Sequence, residues 1–165
     1  MNYPIVARES MLIAGIDVFT SNEQEFSGEG KIPALWSRFF SEDILAQIPN
    51  RVDDVTLVAA YTDIESDENG RYRFVIGTEV STFEGIPEAF FRGEIPAATY
   101  AEFTTEQGPF SKVGLACWQR IWADDTLKAR RRYDTDLEIY DLRNMAPESV
   151  QFKICVGVAG GTDDA

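Results

Sequence analysis

Hydrophobic side chains recur with the spacing of an α-helix in two stretches of the chain. In each stretch the apolar positions follow the i, i+3, i+4, i+7, i+8 pattern that places them on one helix face. The first set is Ile32, Leu35, Trp36, Phe39 and Phe40, and the second is Phe110, Val113, Gly114, Cys117, Trp118, Ile121 and Trp122. The pattern predicts one helix that begins near residue 31, with Pro33 in its first turn, and another that begins near residue 110.

Runs rich in β-branched and aromatic residues predict three strands around each helix. The predicted strands are residues 11–19, 55–61, 72–80, 97–104, 137–141 and 150–158. A strong hairpin signal, Asn69-Gly70, lies between the second and third of them. The remaining residues predict a loop (21–30), a short helix that starts at residues 41–44 and stops before Pro49, a connection (86–96) and a loose C-terminal tail (159–165).

The two predicted helices carry the same local motif. Residues 34–40 and 116–122 both read Ala, apolar, Trp, polar, Arg, apolar, aromatic. The order strand, helix, strand, strand also occurs twice, over approximately residues 6–82 and 96–158. We therefore predict a single domain, residues 1–165, that contains two copies of one module.

The predicted fold class is α+β, with duplicated strand–helix–strand–strand units that form an antiparallel sheet with two helices and a central ligand groove. Each helix is expected to cover one face of the sheet with the stripe that carries Trp36 or Trp118. The groove is then expected on the other face, at the seam between the two units. Core packing is the simplest role for each of these tryptophans.

The charge balance narrows the classes of partner. The chain has 15 Lys and Arg against 28 Asp and Glu, a net charge of −13. Such a field repels phosphate backbones, so we expect no direct nucleic-acid binding. No signal peptide and no membrane-spanning apolar run is recognised, so we expect no membrane association. Cys117 and Cys155 lie in apolar stretches and are interpreted as reduced core residues of a cytoplasmic protein, with a disulfide as the alternative.

None of the common catalytic signatures is present. The chain has no histidine, which removes the most frequent general base and zinc ligand. It also has no Cys-x-x-Cys, P-loop, nucleophile elbow or dinucleotide fingerprint. We therefore predict no catalytic residue, no metal site and no cofactor. Acids, tyrosines and tryptophans remain for molecular recognition.

The acid of greatest interest is Glu138. Side chains alternate along a strand, so Glu138 and Tyr140 share one face while Leu137 and Ile139 share the other. If the apolar pair packs under the helices, Glu138 and Tyr140 face the groove. A carboxylate in a groove needs hydrogen bonds, water or a counter-charge, because burial alone neutralises it. The alternative is a glutamate that faces solvent.

The same alternation draws attention to Glu79, and to an aromatic set on the hairpins and the fourth strand. That set is Tyr61, Tyr72, Phe74, Tyr100 and Phe103. Aromatic rings around one or two acids suggest a cage for a cationic or aromatic small molecule. A cation against an aromatic face gains about 0.5–2 kcal/mol per good contact, and this attraction has little directionality. We therefore expect broad specificity.

Five blocks of the sequence resemble, in order and in spacing, the GyrI-like effector-binding domains. They are IPALWSRFF (32–40), YRFVIGTEV (72–80), YAEF (100–103), WQRIW (118–122) and EIY (138–140). The resemblance covers nearly the whole chain. It is closest to the integron-associated effector-binding proteins, which are stand-alone domains related to the ligand-sensing halves of AraC-type and MerR-type activators.

The resemblance implies a groove between the repeats that takes cationic, lipophilic compounds. A glutamate in a Glu-x-Tyr strand segment meets the positive charge in those sensors, and it corresponds to Glu138 here. The implied wall residues are Trp36, Phe40, Tyr72, Tyr100, Trp118 and Tyr140. No helix-turn-helix segment is recognised, so we expect that this polypeptide does not regulate transcription directly.

Three functions follow, in order of preference. The first is a non-enzymatic protein that binds cationic, aromatic small molecules. The second is a hydrolase of reactive small molecules, as in some GyrI-like proteins, with Glu138, Glu79 or Tyr140 in the reaction. The third is a protein-interaction module like the gyrase-inhibitor branch, in which a protein partner takes the place of the small molecule.

Overall fold

The computed structural model describes residues 3–160, in which ten strands and four helical segments follow one another along the chain. The strands are β1 (Ile5–Arg8), β2 (Met11–Ser21), β3 (Thr56–Thr62), β4 (Arg71–Val80), β5 (Phe91–Ile95), β6 (Ala98–Thr104), β7 (Arg131–Asp141), β8 (Met145–Ala146), β9 (Ser149–Val150) and β10 (Lys153–Val158). The helices are α1 (Asn22–Gln24, continued by a π turn at Glu25–Glu29), α2 (Ile32–Ser41), α3 (Phe110–Trp122) and α4 (Asp125–Lys128). Single 3₁₀ turns lie at Leu45–Gln47 and Leu142–Asn144.

Eight strands form one antiparallel sheet in the order β1-β6-β10-β7-β3-β4-β2-β5. Reading outward from the central β3–β7 pair, each half has the same order, β3-β4-β2 on one side and β7-β10-β6 on the other. This order is the one expected for two strand–helix–strand–strand units that meet at their second strands. The predicted α+β fold with an antiparallel sheet is confirmed.

Two outer strands, β1 and β5, were not predicted from the sequence. Strand β1 pairs with β6 of the second unit, and β5 pairs with β2 of the first. Only residues 9–10 link β1 to β2, and only residues 96–97 link β5 to β6. Because these links are short, the two edges of the sheet lie close together and the sheet curls. The prediction that residues 86–96 are only a connection is therefore wrong over Phe91–Ile95.

The two faces of the sheet have separate cores. On one face, α2 and α3 pack their apolar stripes against strand residues such as Phe74, Ile76 and Ile154. The other face lies inside the curl and has a core to which all eight strands contribute, including Val75, Leu137 and Cys155. The expected arrangement, with a groove on the face away from the helices, is wrong because that face buries its own side chains. Cys117 and Cys155 are free and buried in different cores.

The segment before α2, predicted as a loop, contains helical turns whose geometry is interrupted at Gly28 (φ 91°). The Ser21 hydroxyl accepts a hydrogen bond from the Gln24 backbone N–H (3.1 Å) and so begins α1. The Glu25 carboxylate accepts hydrogen bonds from the backbone N–H groups of Lys31 (2.7 Å) and Ile32 (3.1 Å). Glu25 therefore caps α2, which has no side-chain cap of its own.

Both long helices begin where their apolar spacing predicts. The predictions of a short helix after residue 41 and of a loose C-terminal tail have other outcomes. The predicted short helix between Ser41 and Pro49 does not form as one helix: α2 ends at Ser41, turns follow, and Leu45–Gln47 make a 3₁₀ turn. Of the predicted C-terminal tail, residues 161–165 lie outside the described residues.

Alanine at Gly15 is expected to destabilise the fold. Gly15 and Gly77 are direct partners in β2 and β4, and a Cβ on Gly15 would lie 2.0 Å from the Ile76 carbonyl oxygen. Because two backbones would have to separate, Gly15→Ala should lower the free energy of unfolding by about 1–3 kcal/mol. Urea unfolding measures this change. Gly160→Ala, whose Cβ would meet open space, is the control, and equal stabilities for the two variants would contradict the expectation.

Candidate functional site

A groove lies on the helix-bearing face of the sheet, between α2 and α3. It has two connected chambers, one of about 520 Å³ that contains Glu138 and one of about 330 Å³ that contains Tyr72. The residues that line both chambers are Ile32, Pro33, Tyr61, Ser111, Leu115 and Trp118. We call them the Glu138 chamber and the Tyr72 chamber. Each volume is within the usual range for small-molecule sites, about 300–1,000 Å³.

Glu138 lies on the floor of the first chamber, and its side chain makes three hydrogen bonds. Tyr61 Oη (2.7 Å) and Trp118 Nε1 (2.8 Å) donate to one carboxylate oxygen, Oε2. Tyr140 Oη donates to the other, Oε1, at 2.5 Å. The residue is only 5% exposed. The three donors come from β3, α3 and β7, so the carboxylate joins both units of the fold.

Burial governs the ionisation of this cluster. It raises the pKa of Glu138, while the hydrogen bonds from Tyr140, Tyr61 and Trp118 act in the opposite direction. The pKa of both Tyr61 and Tyr140 is raised well above the usual tyrosine value. Burial is the larger cause, and the negative charge of the nearby Glu138 carboxylate is the second. The tyrosines therefore keep their protons and remain donors.

Asp136 provides an internal comparison for Glu138. It precedes Glu138 by two residues on the same face of β7 and is also buried. Its carboxylate pairs with the buried guanidinium of Arg131 (2.8 Å) and accepts a hydrogen bond from the Gly157 backbone N–H (2.9 Å). In contrast, no lysine or arginine within residues 3–160 forms an ion pair with Glu138. One buried carboxylate thus has a cationic partner from the chain, and the other does not.

Aromatic rings surround Glu138 and hold its donors in place. Trp36 packs edge-on against Tyr140, with ring centroids 5.2 Å apart, and against Phe110 at 5.4 Å. Phe152 stacks on Tyr140 at 4.2 Å. The chamber therefore has an aromatic wall around a carboxylate floor, which is a suitable environment for an organic cation.

The structure brings five of the eight predicted site residues into the groove. Glu138, Tyr140, Trp36 and Trp118 line the Glu138 chamber, and Trp118 and Tyr72 line the Tyr72 chamber. The two repeated tryptophans therefore face the groove as well as the core. Glu138 and Tyr140 are on the helix side, whereas Leu137 and Ile139 pack on the other side, the reverse of the expected arrangement.

The other three predicted site residues lie elsewhere. Phe40 stacks on Trp36 at 5.9 Å but is 53% exposed and lines neither chamber. Tyr100 and Glu79 are on the opposite face of the sheet, Tyr100 in the core inside the curl and Glu79 beside a small cavity of about 70 Å³. Their placement in the groove is wrong because alternation along β6 and β4 directs both side chains away from the helices.

Several groove residues were not among the predicted set. Tyr61 belonged to the aromatic set but was not assigned to Glu138; a tyrosine on the strand next to the acid is the signal that could have indicated it. Phe152 lies just before β10 but within the predicted strand 150–158, and it packs in the same core as Ile154, so alternation along that strand is the signal that could have indicated it. Gly114 lines the Glu138 chamber, and a Cβ there would lie 3.0 Å from Phe152 Cζ. A glycine in mid-helix thus lets Phe152 approach α3.

Among the described residues no group of three or more His, Cys, Asp or Glu side chains is arranged to hold a metal ion. No helix within residues 3–160 is long and apolar enough to cross a membrane.

The duplicated units and the acidic aromatic groove define an effector-binding fold. The chain belongs to the family of integron-associated effector binding proteins (Cass2), which matches residues 4–158. The resemblance stated from the sequence is thereby confirmed. The family and its relatives support the binding of small molecules in general terms.

Three similar proteins illustrate this relationship. YobU of Bacillus subtilis, which is assigned as a transcriptional regulator, is 32% identical over 145 residues, or 88% of this chain and 90% of YobU. The integron cassette protein VCH_CASS2 of Vibrio cholerae has the same fold, with a TM-score of 0.74 at 22% identity over 94% of this chain and 95% of that protein. SAV2435, in its structure bound to tetraphenylphosphonium, has a TM-score of 0.76 at 15% identity over 97% and 95%.

Removal of the Glu138 charge is expected to stabilise the protein at alkaline pH. Because the folded-state pKa is raised, the contribution of Glu138 to stability is fully present below the unfolded-state pKa, about 4.3. It is lost as the pH rises through the folded-state pKa. Glu138→Gln should therefore unfold at higher urea concentration than the wild type at pH 8, and the difference should shrink towards pH 4.

Glu79→Gln, on the other face of the sheet, is the control for the loss of one negative charge. A Glu138→Gln variant that is less stable than the wild type at pH 8, or a difference that does not change with pH, would count against this account of the cluster.

Proposed function

We propose that the protein binds cationic, aromatic or lipophilic small molecules reversibly in this groove, as a stand-alone effector-binding protein. The observation that carries the proposal is the buried Glu138 carboxylate, which has three neutral hydrogen-bond donors and no cationic partner among the described residues. A ligand with a positive charge supplies what Arg131 supplies to Asp136.

The energetics favour this class of ligand. A carboxylate about 4 Å from a positive charge contributes up to about 4 kcal/mol at an effective dielectric constant of about 20, before desolvation. The rings of Trp36, Trp118 and Tyr140 add cation–π and apolar contacts that tolerate many ligand shapes. The net charge of −13 attracts cations at long range and raises their rate of association.

The relatives support the proposal. Tetraphenylphosphonium, the molecule bound to SAV2435, is a permanently charged cation with four aromatic rings. YobU is a relative of nearly the same length that is assigned to transcription regulation. We propose that this chain senses or sequesters such a cation in the cytoplasm and passes the signal, where there is one, to a protein partner.

Cation binding should depend on Glu138. Titration with tetraphenylphosphonium, followed by calorimetry, should give at least about tenfold weaker binding for Glu138→Gln than for the wild type, which corresponds to about 1.4 kcal/mol. Affinity for the wild type should also fall at acid pH, because protonation of Glu138 removes its charge. Glu79→Gln should bind like the wild type, since that residue lies on the other face of the sheet.

Equal affinities of the wild type and Glu138→Gln would refute the central role of Glu138. Recovery of the ligand by mass spectrometry after a long incubation separates binding from hydrolysis: reactive electrophiles that come back chemically changed would favour the hydrolase alternative.

A further inference from the structure

We propose that the Glu138 chamber selects cations that carry no hydrogen-bond donor, such as quaternary ammonium and phosphonium ions, over protonated amines on the same scaffold. This inference rests on the proposed function, because it concerns which cation completes the site. It follows from how the chain already uses the carboxylate oxygens.

The hydrogen-bonding capacity of Glu138 is nearly exhausted within the protein. An ionised carboxylate offers about four acceptor positions, two on each oxygen. Tyr61 and Trp118 occupy both positions of Oε2, and Tyr140 occupies one position of Oε1. About one position on Oε1 therefore remains for a ligand.

The rest of the chamber offers few other acceptors. Apart from Glu138, its polar side-chain groups are the Ser111 hydroxyl, the hydroxyls of the two tyrosines and the indole N–H groups of Trp36 and Trp118, which are donors only, and its other walls are apolar or aromatic. A primary ammonium group has three N–H donors. Two of them would have to reach Ser111 or a tyrosine oxygen, or remain unpaired among the rings. A quaternary ion has no donor to satisfy, and it still gains from the negative charge and the aromatic faces.

The protein donors cannot easily make way for an ammonium group. The Tyr61 ring contacts Tyr72, Phe74 and Trp118, with centroids 5.4, 4.9 and 5.3 Å away. The Tyr140 ring lies against Trp36, Phe110 and Phe152. Because the packed rings hold both hydroxyls on the carboxylate, displacing either one would require the wall of the chamber to repack.

The test compares two probes on one scaffold, 4-phenylbenzyl-trimethylammonium and 4-phenylbenzylammonium, at pH 7. Calorimetry gives the ratio of the two probe affinities for each protein. Because the probes differ in hydrophobicity by the same amount whichever variant is used, a change in the ratio between variants does not arise from that difference. We expect the wild type to prefer the quaternary probe at least about tenfold. Tyr61→Phe frees one position on Oε2, and the preference should fall about threefold or more.

Tyr100→Phe is the matched control, since it removes a buried tyrosine hydroxyl on the opposite face of the sheet. It should keep the wild-type ratio. Tyr140→Phe, which frees a position on Oε1, is a second route to the same result if Tyr61→Phe fails to fold, as judged by circular dichroism.

The outcomes separate the two proposals. If Glu138→Gln binds the quaternary probe as well as the wild type does, the proposed function fails. If Glu138→Gln loses binding but the folded tyrosine variants keep the wild-type ratio, only the selectivity is overturned. A wild type that prefers the primary ammonium probe also overturns the selectivity, whereas a reduced preference in the tyrosine variants alone supports it.

Discussion

The central physical constraint in this protein is a buried carboxylate whose hydrogen bonds are nearly complete but whose charge is not balanced by an ion pair within the described residues. Three neutral donors from β3, α3 and β7 converge on Glu138 and keep a negative charge in a place where burial alone disfavours it. The aromatic side chains that supply or buttress those donors are the same ones that shape the groove. The fold and the proposed recognition thus rest on one cluster. The neighbouring Asp136–Arg131 pair shows how the chain balances a buried acid with its own cation.

The duplication explains why such a cluster can form. The two units meet at β3 and β7, so α2 and α3 cover the same face of one sheet and leave a groove between them. The short links after β1 and β5 send each outer strand to the other unit and curl the sheet. The inside of the curl is filled by its own core, and the groove that contains Glu138 lies on the helix side.

Whether each prediction from the sequence was right depended on the physical signal behind it. Helical spacing located α2 and α3 well, because their apolar stripes are long and periodic. Alternation correctly placed Glu138 and Tyr140 on the same face of β7. It did not indicate which face of the sheet the helices cover, so Tyr100 and Glu79 were assigned to the wrong side. Strands β1 and β5 escaped detection because they are short and their partners lie in the other unit.

The amino-acid pattern alone was sufficient for the family, the duplicated order of elements and the acid at the centre of the candidate site, since these depend on local periodicity and on residue identity. Only the folded chain decided that Tyr61 and Trp118 share one oxygen of Glu138 and that no described lysine or arginine pairs with it. Tyr61 is 77 residues from Glu138 along the chain and Trp118 is 20 residues away. Contacts at that separation depend on strand register and helix packing, which no local pattern records.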